Sequence, residues 1–418
     1  MTAPPHTSSS PEHGPDGGDA GVPDVDAEAV VALTQALVRL PTVNAEGAAV
    51  VEQPAADLVA EVMRGFGWQV HVAEVAPGRP NVVGVVQGRP GGPTVMFEGH
   101  TDVVTAGDPA LWSFDPFAGD IVDGRLRGRG SADMKSGVAA MIHAARAVEL
   151  AGFAGRILVA ALADEEGMML GAKYFAAHQA AALAPEGIAG VIVCEPEAGE
   201  VCTVAKGAMR LLVHVHGVMA HGAMPQHGRN PLPAVGAFLV GMSALQDRLT
   251  AEFGDHPLLG RVFVTPTVLA AGDPAQINVI PALATVALDI RTVPGVDHAE
   301  LLSTIGALAE RVAGESGLRA ELVVVDDRPP VDTPESEPVV AALRAAHREV
   351  TGVEAAIGGV PGTTDGTILT RDAGLATVVY GPGGKWIAHQ ADEFVEVAEI
   401  VQACRVFAAA ARRLLVAA

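Results

Sequence analysis

Three apolar runs in this chain each lead directly into side chains that can bind a cation or carry a proton. Thr94-Val95-Met96-Phe97 leads into Glu98-Gly99-His100-Thr101-Asp102, the run 156–163 into Asp164-Glu165-Glu166, and the run 190–194 into Glu195. Short apolar runs rich in β-branched residues, bounded by Gly and Pro and separated by segments of helical periodicity, read as buried strands of an α/β sheet. Such open sheets place their chemistry at the carboxyl ends of the strands. The polar residues above are therefore expected to converge on one edge of one sheet.

The remaining pattern agrees with that architecture. Helices are expected at 26–40, stopped by Pro41, and at 50–66, closed by Gly67, followed by strands at 70–75, 81–87 and 94–97. Helix and strand then alternate through 136–150, 156–163, 171–183 and 190–194, which argues for a mainly parallel sheet with helices on both faces. From about Gly207 the texture changes to a β-α-β-β-α run: a strand at 211–215, a helix at 231–249, strands at 261–269 and 282–291, and a helix at 297–313. Such a run can close as a separate ferredoxin-like α+β unit. After about Ala320 the α/β pattern is expected to resume, with a strand at 321–325, a helix at 337–350 and a strand at 377–380. This predicts a catalytic domain built from 26–206 and 321–418, interrupted by an inserted domain at 207–320. Residues 394–418 read as a docked helix, and residues 1–25 as a flexible acidic tail without a signal-peptide pattern.

Composition narrows the function. Acidic residues number 49 against 27 Lys plus Arg, and the net charge of -22 repels phosphate backbones and anionic lipid. Nucleic acid and membranes are not expected partners, and no uncharged apolar run is long enough to span a bilayer. Cys194, Cys202 and Cys404 are odd in number and lack CxxC spacing, which suits free thiols in a reducing, cytoplasmic setting. The glycines of Gly128-Arg129-Gly130 do not complete a GxGxxG pattern, because Asp133 stands where the last Gly is required. Asp133 reads instead as a carboxylate at the end of a tight turn.

The side chains that remain form a set. His100 and Asp102 lie two apart on one strand face, so Asp102 can reach the ring nitrogen that His100 does not use elsewhere. Of the adjacent pair Glu165 and Glu166, one can ligate a cation while the other serves as general base. With Asp133, Glu195 and His389, the chain offers two imidazoles and three carboxylates, the donors expected for two zinc-class ions sharing a carboxylate. Such a pair activates water and polarises a carbonyl, and amide hydrolysis follows. His143, His178, His214 and His216 have no carboxylate cluster near them in sequence and are set aside.

The order GHTDVV, GRGSADMK, DEE, CEP, GTTDG and AHQADEF resembles the M20-type co-catalytic zinc aminoacylases and carboxypeptidases, which include acetylornithine deacetylase, succinyl-diaminopimelate desuccinylase and the glutamate-releasing carboxypeptidase. The resemblance runs from about Asp26 to the end of the chain. It implies His100, Asp133 and Glu195 on one metal, Asp133, Glu166 and His389 on the other, Glu165 as general base and Asp102 behind His100. Zinc is the implied metal, with cobalt or manganese as alternatives. His221, in Ala220-His221-Gly222, resembles a lid-domain histidine that reaches the partner subunit's site and stabilises an oxyanion, which implies a homodimer formed through the insert. Asn278 and Arg291 resemble residues that hold a substrate carboxylate, and Thr364 of the GTTDG loop is expected at the substrate pocket. The expected activity is release of an acyl group from an N-acyl amino acid or a similar small amide bearing a free carboxylate. A dipeptidase or carboxypeptidase is the alternative enzyme, and a non-catalytic binder of acylated amino acids the alternative of another class. Met168-Met169-Leu170 and Thr363-Thr364 depart from the family pattern and leave the substrate open.

Overall fold

The computed structural model describes residues 21–45 and 52–416. Most of the expected tail (1–20), the start of the second helix (Val50 and Val51) and the last two residues lie outside them.

Nine strands form the central sheet. In order they are Gln69–Ala76, Arg79–Gln87, Ala154–Leu162, Arg89–His100, Val191–Val193, Thr377–Val379, Val201–Ala205 and Val331–Asp332, with Ile357–Val360 also pairing to Val201–Ala205. The centre is parallel: Arg89–His100 runs alongside both Ala154–Leu162 and Val191–Val193, and Val191–Val193 alongside Thr377–Val379. Antiparallel strands close the edges.

Both faces of the sheet are covered, which explains why its strands read as unbroken apolar runs. Val95, Phe97, Ile157, Val159 and Ala161 turn toward helices Ala27–Val38, Gln53–Gly65, Ser136–Ala151, Pro338–Thr351 and Val397–Val416. Their neighbours Met96, Leu158, Ala160 and Leu162 turn the other way, onto Ala172, Phe175, Ile368 and Leu369. Each large side chain enclosed in this way stabilises the fold by about 1.5–3 kcal/mol over an exposed one. Gly137 lets the start of Ser136–Ala151 press against the end of a strand, since a Cβ there would lie 2.0 Å from the Cys194 carbonyl oxygen.

The insert is a four-stranded antiparallel sheet in the order Phe263–Ala271, Leu283–Thr292, Gly207–His216 and Arg319–Arg328. Helices Leu232–Phe253 and His298–Glu315 share its apolar core. This is the ferredoxin-like arrangement, and it corrects one expectation. The strand at 321–325, assigned above to the resumed catalytic domain, lies within Arg319–Arg328, which pairs with Gly207–His216 from Arg319 opposite His216 to Arg328 opposite Ala208. It is the insert's fourth strand, and we place the boundary of the insert after Arg328 rather than at 320. A strand that completes one unit looks, in sequence, like a strand that reopens another. Val201–Ala205, Ile357–Val360 and helix Asp365–Ala373 were not expected at all. The Ile-Gly-Gly-Val strand is half glycine, and the helix is announced only by Thr364, whose hydroxyl caps it by accepting Gly366 N–H at 3.2 Å.

Candidate metal centre

Because the four central strands are parallel neighbours, their carboxyl ends lie side by side and bring distant residues together. His100 closes Arg89–His100, and Glu165 and Glu166 follow Ala154–Leu162. Glu195 follows Val191–Val193, and His389 comes from the stretch after Thr377–Val379. Asp133 arrives from the turn before Ser136–Ala151, where Gly130 takes the positive φ of 81° that the turn requires.

The two oxygens of Asp133 face different imidazoles. Oδ1 lies 3.2 Å from His100 Nε2, and Oδ2 lies 3.2 Å from His389 Nε2. Glu195 Oε1 is 3.4 Å from His100 Nε2, Glu166 Oε1 is 2.9 Å from His389 Nε2, and Glu165 Oε2 is 4.0 Å from His100 Nε2. The arrangement is one shared carboxylate with an imidazole and a carboxylate on each side, and a second Glu beside it. The two sides differ in cover: His100 is 1% exposed and His389 is 53% exposed.

Electrostatics shows what this group lacks. Burial, and then the charge of Asp133, pushes Glu195 up to about 8. Burial also raises Glu165 well above the carboxylate range, reinforced by Glu166 and Glu195, and raises Glu166. Hydrogen bonds to Asp133 and Glu166 hold His389 at about 10 against the effect of burial. Four carboxylates in a buried space are short of positive charge, and hard or borderline divalent cations supply it. The donors therefore fit two such ions.

Asp102 does more than expected. His100 Nδ1 donates to the Asp102 backbone carbonyl at 2.9 Å, whereas the carboxylate Oδ1 is 3.5 Å away. The carboxylate instead accepts Glu165 N–H and Glu166 N–H, each at 3.1 Å, and Asn44 Nδ2 at 2.7 Å. Asn44 belongs to a network that the sequence did not reveal. Arg79 donates to Glu52 Oε1 at 2.8 Å, Asp164 Oδ1 at 2.9 Å and Asn44 Oδ1 at 3.0 Å, and so fixes the turn from Asp164 to Glu166 from below. Of these residues only Asp164, the first of the DEE motif, lies in a recognisable motif. Behind His100, burial also raises Glu98, with Asp365 adding to it, and raises Asp365 to about 7.

A cavity of about 300 Å³ opens on this group, walled by Asp133, Glu165, Glu166, Glu195, Glu197, Val360 to Thr364, Lys385 and His389. Thr364 thus stands at the pocket. His221, Asn278 and Arg291 do not line it. His221 lies on the two-residue strand Ala220–His221, paired with Val279–Ile280, and Gly222 N–H donates to the Asn278 carbonyl at 2.6 Å, so His221 and Asn278 share one corner of the insert. Arg291 is paired with Asp289 at 2.7 Å on the half-exposed face of the insert's sheet. The histidines set aside have ordinary partners. His214 meets the Thr285 hydroxyl at 2.9 Å, and His143 packs edge-on against Phe66.

Fold and donor set together define a metal-dependent hydrolase. Residues 96–413 match the model of peptidase family M20/M25/M40, and the chain belongs to that family. It is 34% identical over 379 residues to a succinyl-diaminopimelate desuccinylase of Cereibacter sphaeroides, covering 88% of this chain and 94% of that one. Among solved structures, an M20 metallo-carboxypeptidase of Sulfolobus solfataricus superposes with a TM-score of 0.72 at 17% identity, over 93% of this chain and 99% of that one. A protein of Bacillus subtilis described as a dinuclear metal-binding peptidase of the M20 family gives a TM-score of 0.70 at 16% identity, over 93% and 98%. The chain is accordingly a metal-dependent hydrolase of this family. Among the described residues, no helix is long and apolar enough to cross a membrane.

Proposed function

We propose that this chain is a dinuclear zinc deacylase that removes a small acyl group from an amino acid with a free carboxylate, with dicarboxylic acyl groups such as succinyl foremost. The observation that carries this reading is the placement of Asp133 between His100 and His389, with Glu165 free beside them. His100, Asp133 and Glu195 would hold one ion, and Asp133, Glu166 and His389 the other. The ions, when bound, supply Lewis acidity to the amide carbonyl and to the attacking water.

The chain supplies the remaining chemistry. Glu165, buried and not needed as a ligand, takes the proton of the attacking water and returns it to the leaving amine. Asp102 holds the Glu165 backbone and orients His100. His221 donates a hydrogen bond to the developing oxyanion, and Arg291 and Asn278 grip the substrate carboxylate, with Thr364 at the pocket wall. Since the described residues lining the cavity all come from the catalytic domain, those three reach a site through movement of the insert or from a second copy of the chain. The unpaired side of Phe263–Ala271, an edge strand with Val268 and Leu269 exposed, supports a homodimer formed through the insert. The three buried free cysteines support a cytoplasmic setting.

The test is amine release from N-acetyl, N-succinyl and longer N-acyl amino acids and from dipeptides, after chelation and again after return of zinc, cobalt or manganese. Turnover of acyl amino acids that vanishes and returns with metal is the expected result. Turnover of dipeptides alone would make the chain a peptidase, and uptake of metal with no turnover would leave a binding protein.

A further inference from the structure

His389 is the least supported of the candidate ligands. It lies outside any helix or strand, takes a positive φ of 64°, and is 53% exposed. A ligand carried this way needs its chain fixed on either side, and both fixings are present. Lys385, four residues earlier, donates to Glu200 Oε2 at 2.7 Å, Glu197 Oε2 at 2.8 Å and the Gly359 carbonyl at 3.4 Å. An ammonium has three N–H donors, so none remains for a substrate. Gly358 makes room for the arrangement, because a Cβ there would lie 2.4 Å from Glu200 Oε2. Four residues after His389, Glu393 accepts Ala132 N–H at 2.9 Å and Asp133 N–H at 3.1 Å and forms a buried pair with Arg129.

Each end of the stretch 385–393 is therefore fastened to a turn that carries another candidate ligand. Lys385 fastens it to the turn after Glu195, and Glu393 fastens it to the turn of Asp133. We infer that Lys385 and Glu393 are positioning residues, the two ends of a clip that presets His389 opposite Asp133 and Glu166 before metal arrives. The clip sets the affinity of the metal position that His389 serves. The inference rests on the two-metal reading above, but the clip itself is a property of the metal-free chain.

Lys385→Met in the full chain tests it. In chelated protein, hydrogen exchange across 385–393 should accelerate while the central strands keep their protection. In a cobalt titration, the ion lost in His389→Ala should bind roughly 10- to 100-fold more weakly, the usual effect of removing a partner that orients a ligand, and the other ion should be unaffected. Lys385→Arg, which keeps the cation, should restore most of the loss. Wild-type exchange together with an unchanged isotherm would overturn the proposal. So would a raised KM with both metal steps intact, which would make Lys385 a substrate-binding group. If the wild type takes up no cobalt, the two-metal reading falls while the exchange comparison still decides the clip. Should Lys385→Met fail to fold, Glu200→Gln removes one half-exposed anchor and is read in the same way.

Discussion

His100 Nδ1 lies 2.9 Å from the backbone carbonyl of Asp102, closer than either oxygen of the Asp102 carboxylate. The imidazole is thus oriented by main chain, and the carboxylate is left to hold the turn of Glu165 and Glu166. Burial alone would push this carboxyl up, but His100, Asn44 and the Glu165 N–H outweigh it and keep it below the usual carboxylate range. In Asp102→Asn the carbonyl that orients His100 survives, while one of the two turn N–H groups loses its acceptor. We expect metal content near wild type, a loss of about 1.5–3 kcal/mol in stability, typical of a bond to a charged acceptor, and a lower kcat. Metal analysis beside denaturant unfolding checks this, and loss of the His100-bound ion would show that the carboxylate, not the carbonyl, orients the ring.

Glu165 is the group whose removal should separate chemistry from binding. Glu165→Ala is expected to keep both metals and substrate affinity while lowering kcat by roughly 10²- to 10⁴-fold, the usual contribution of a positioned general acid–base. Turnover within a few-fold of wild type would sink its role.

The His389 ring is held at about 10 by hydrogen bonds to Asp133 and Glu166 in the metal-free chain. The ring is therefore protonated at pH 8 and must release a proton to bind metal. Calorimetry of zinc uptake in buffers of differing ionisation enthalpy should reveal that proton, and affinity should weaken as pH falls. For stability of the chelated protein the sign is opposite to that of a carboxylate with a depressed pKa. A histidine raised in the folded state contributes fully below about 6.5, and the contribution disappears as pH rises through about 10.

Arg79 joins Glu52, Asp164 and Asn44, and the Glu52 side chain is fully enclosed. Arg79→Met should leave buried carboxylates unpaired and cost about 3–5 kcal/mol, the range for breaking a buried pair from one side. Since the network supports the Glu165 turn, activity measured well below the unfolding transition should fall as well. A shift of less than about 0.5 kcal/mol would place the network among surface ion pairs of little worth.

What the sequence disclosed of this arrangement follows from period and punctuation. The runs ending at Phe97, Ala163 and Cys194 were legible as strands because both faces of the sheet are buried, and the residues after them were legible as an edge because parallel strands share a direction. The fourth strand of the insert was misassigned because pairing is non-local. Nothing in Glu321-Leu322-Val323-Val324 says that its partner is Gly207–His216 rather than a strand of the other sheet. Ile357–Val360 was invisible because half of it is glycine. Asn44, Arg79 and Lys385 escaped because a supporting hydrogen bond leaves no spacing rule in the chain, whereas a cluster of donors following strands does.

The position of Thr377–Val379 has a consequence for the order in which the molecule can be made. It sits inside the central sheet, between Val191–Val193 and Val201–Ala205, although nearly two hundred residues of chain separate it from the first of them. During synthesis the insert through Arg328 is contiguous and can close while the rest is still being added, since domains fold as units from the N-terminal side. The larger sheet must wait with an open edge until its last interior strand leaves the ribosome, and His389 emerges only after that. An unfinished chain thus carries a nearly complete acidic pocket that cannot yet be completed as a two-sided centre, and the aggregation-prone interval in the life of this protein is expected to be the one just before Thr377–Val379 and the stretch of His389 appear.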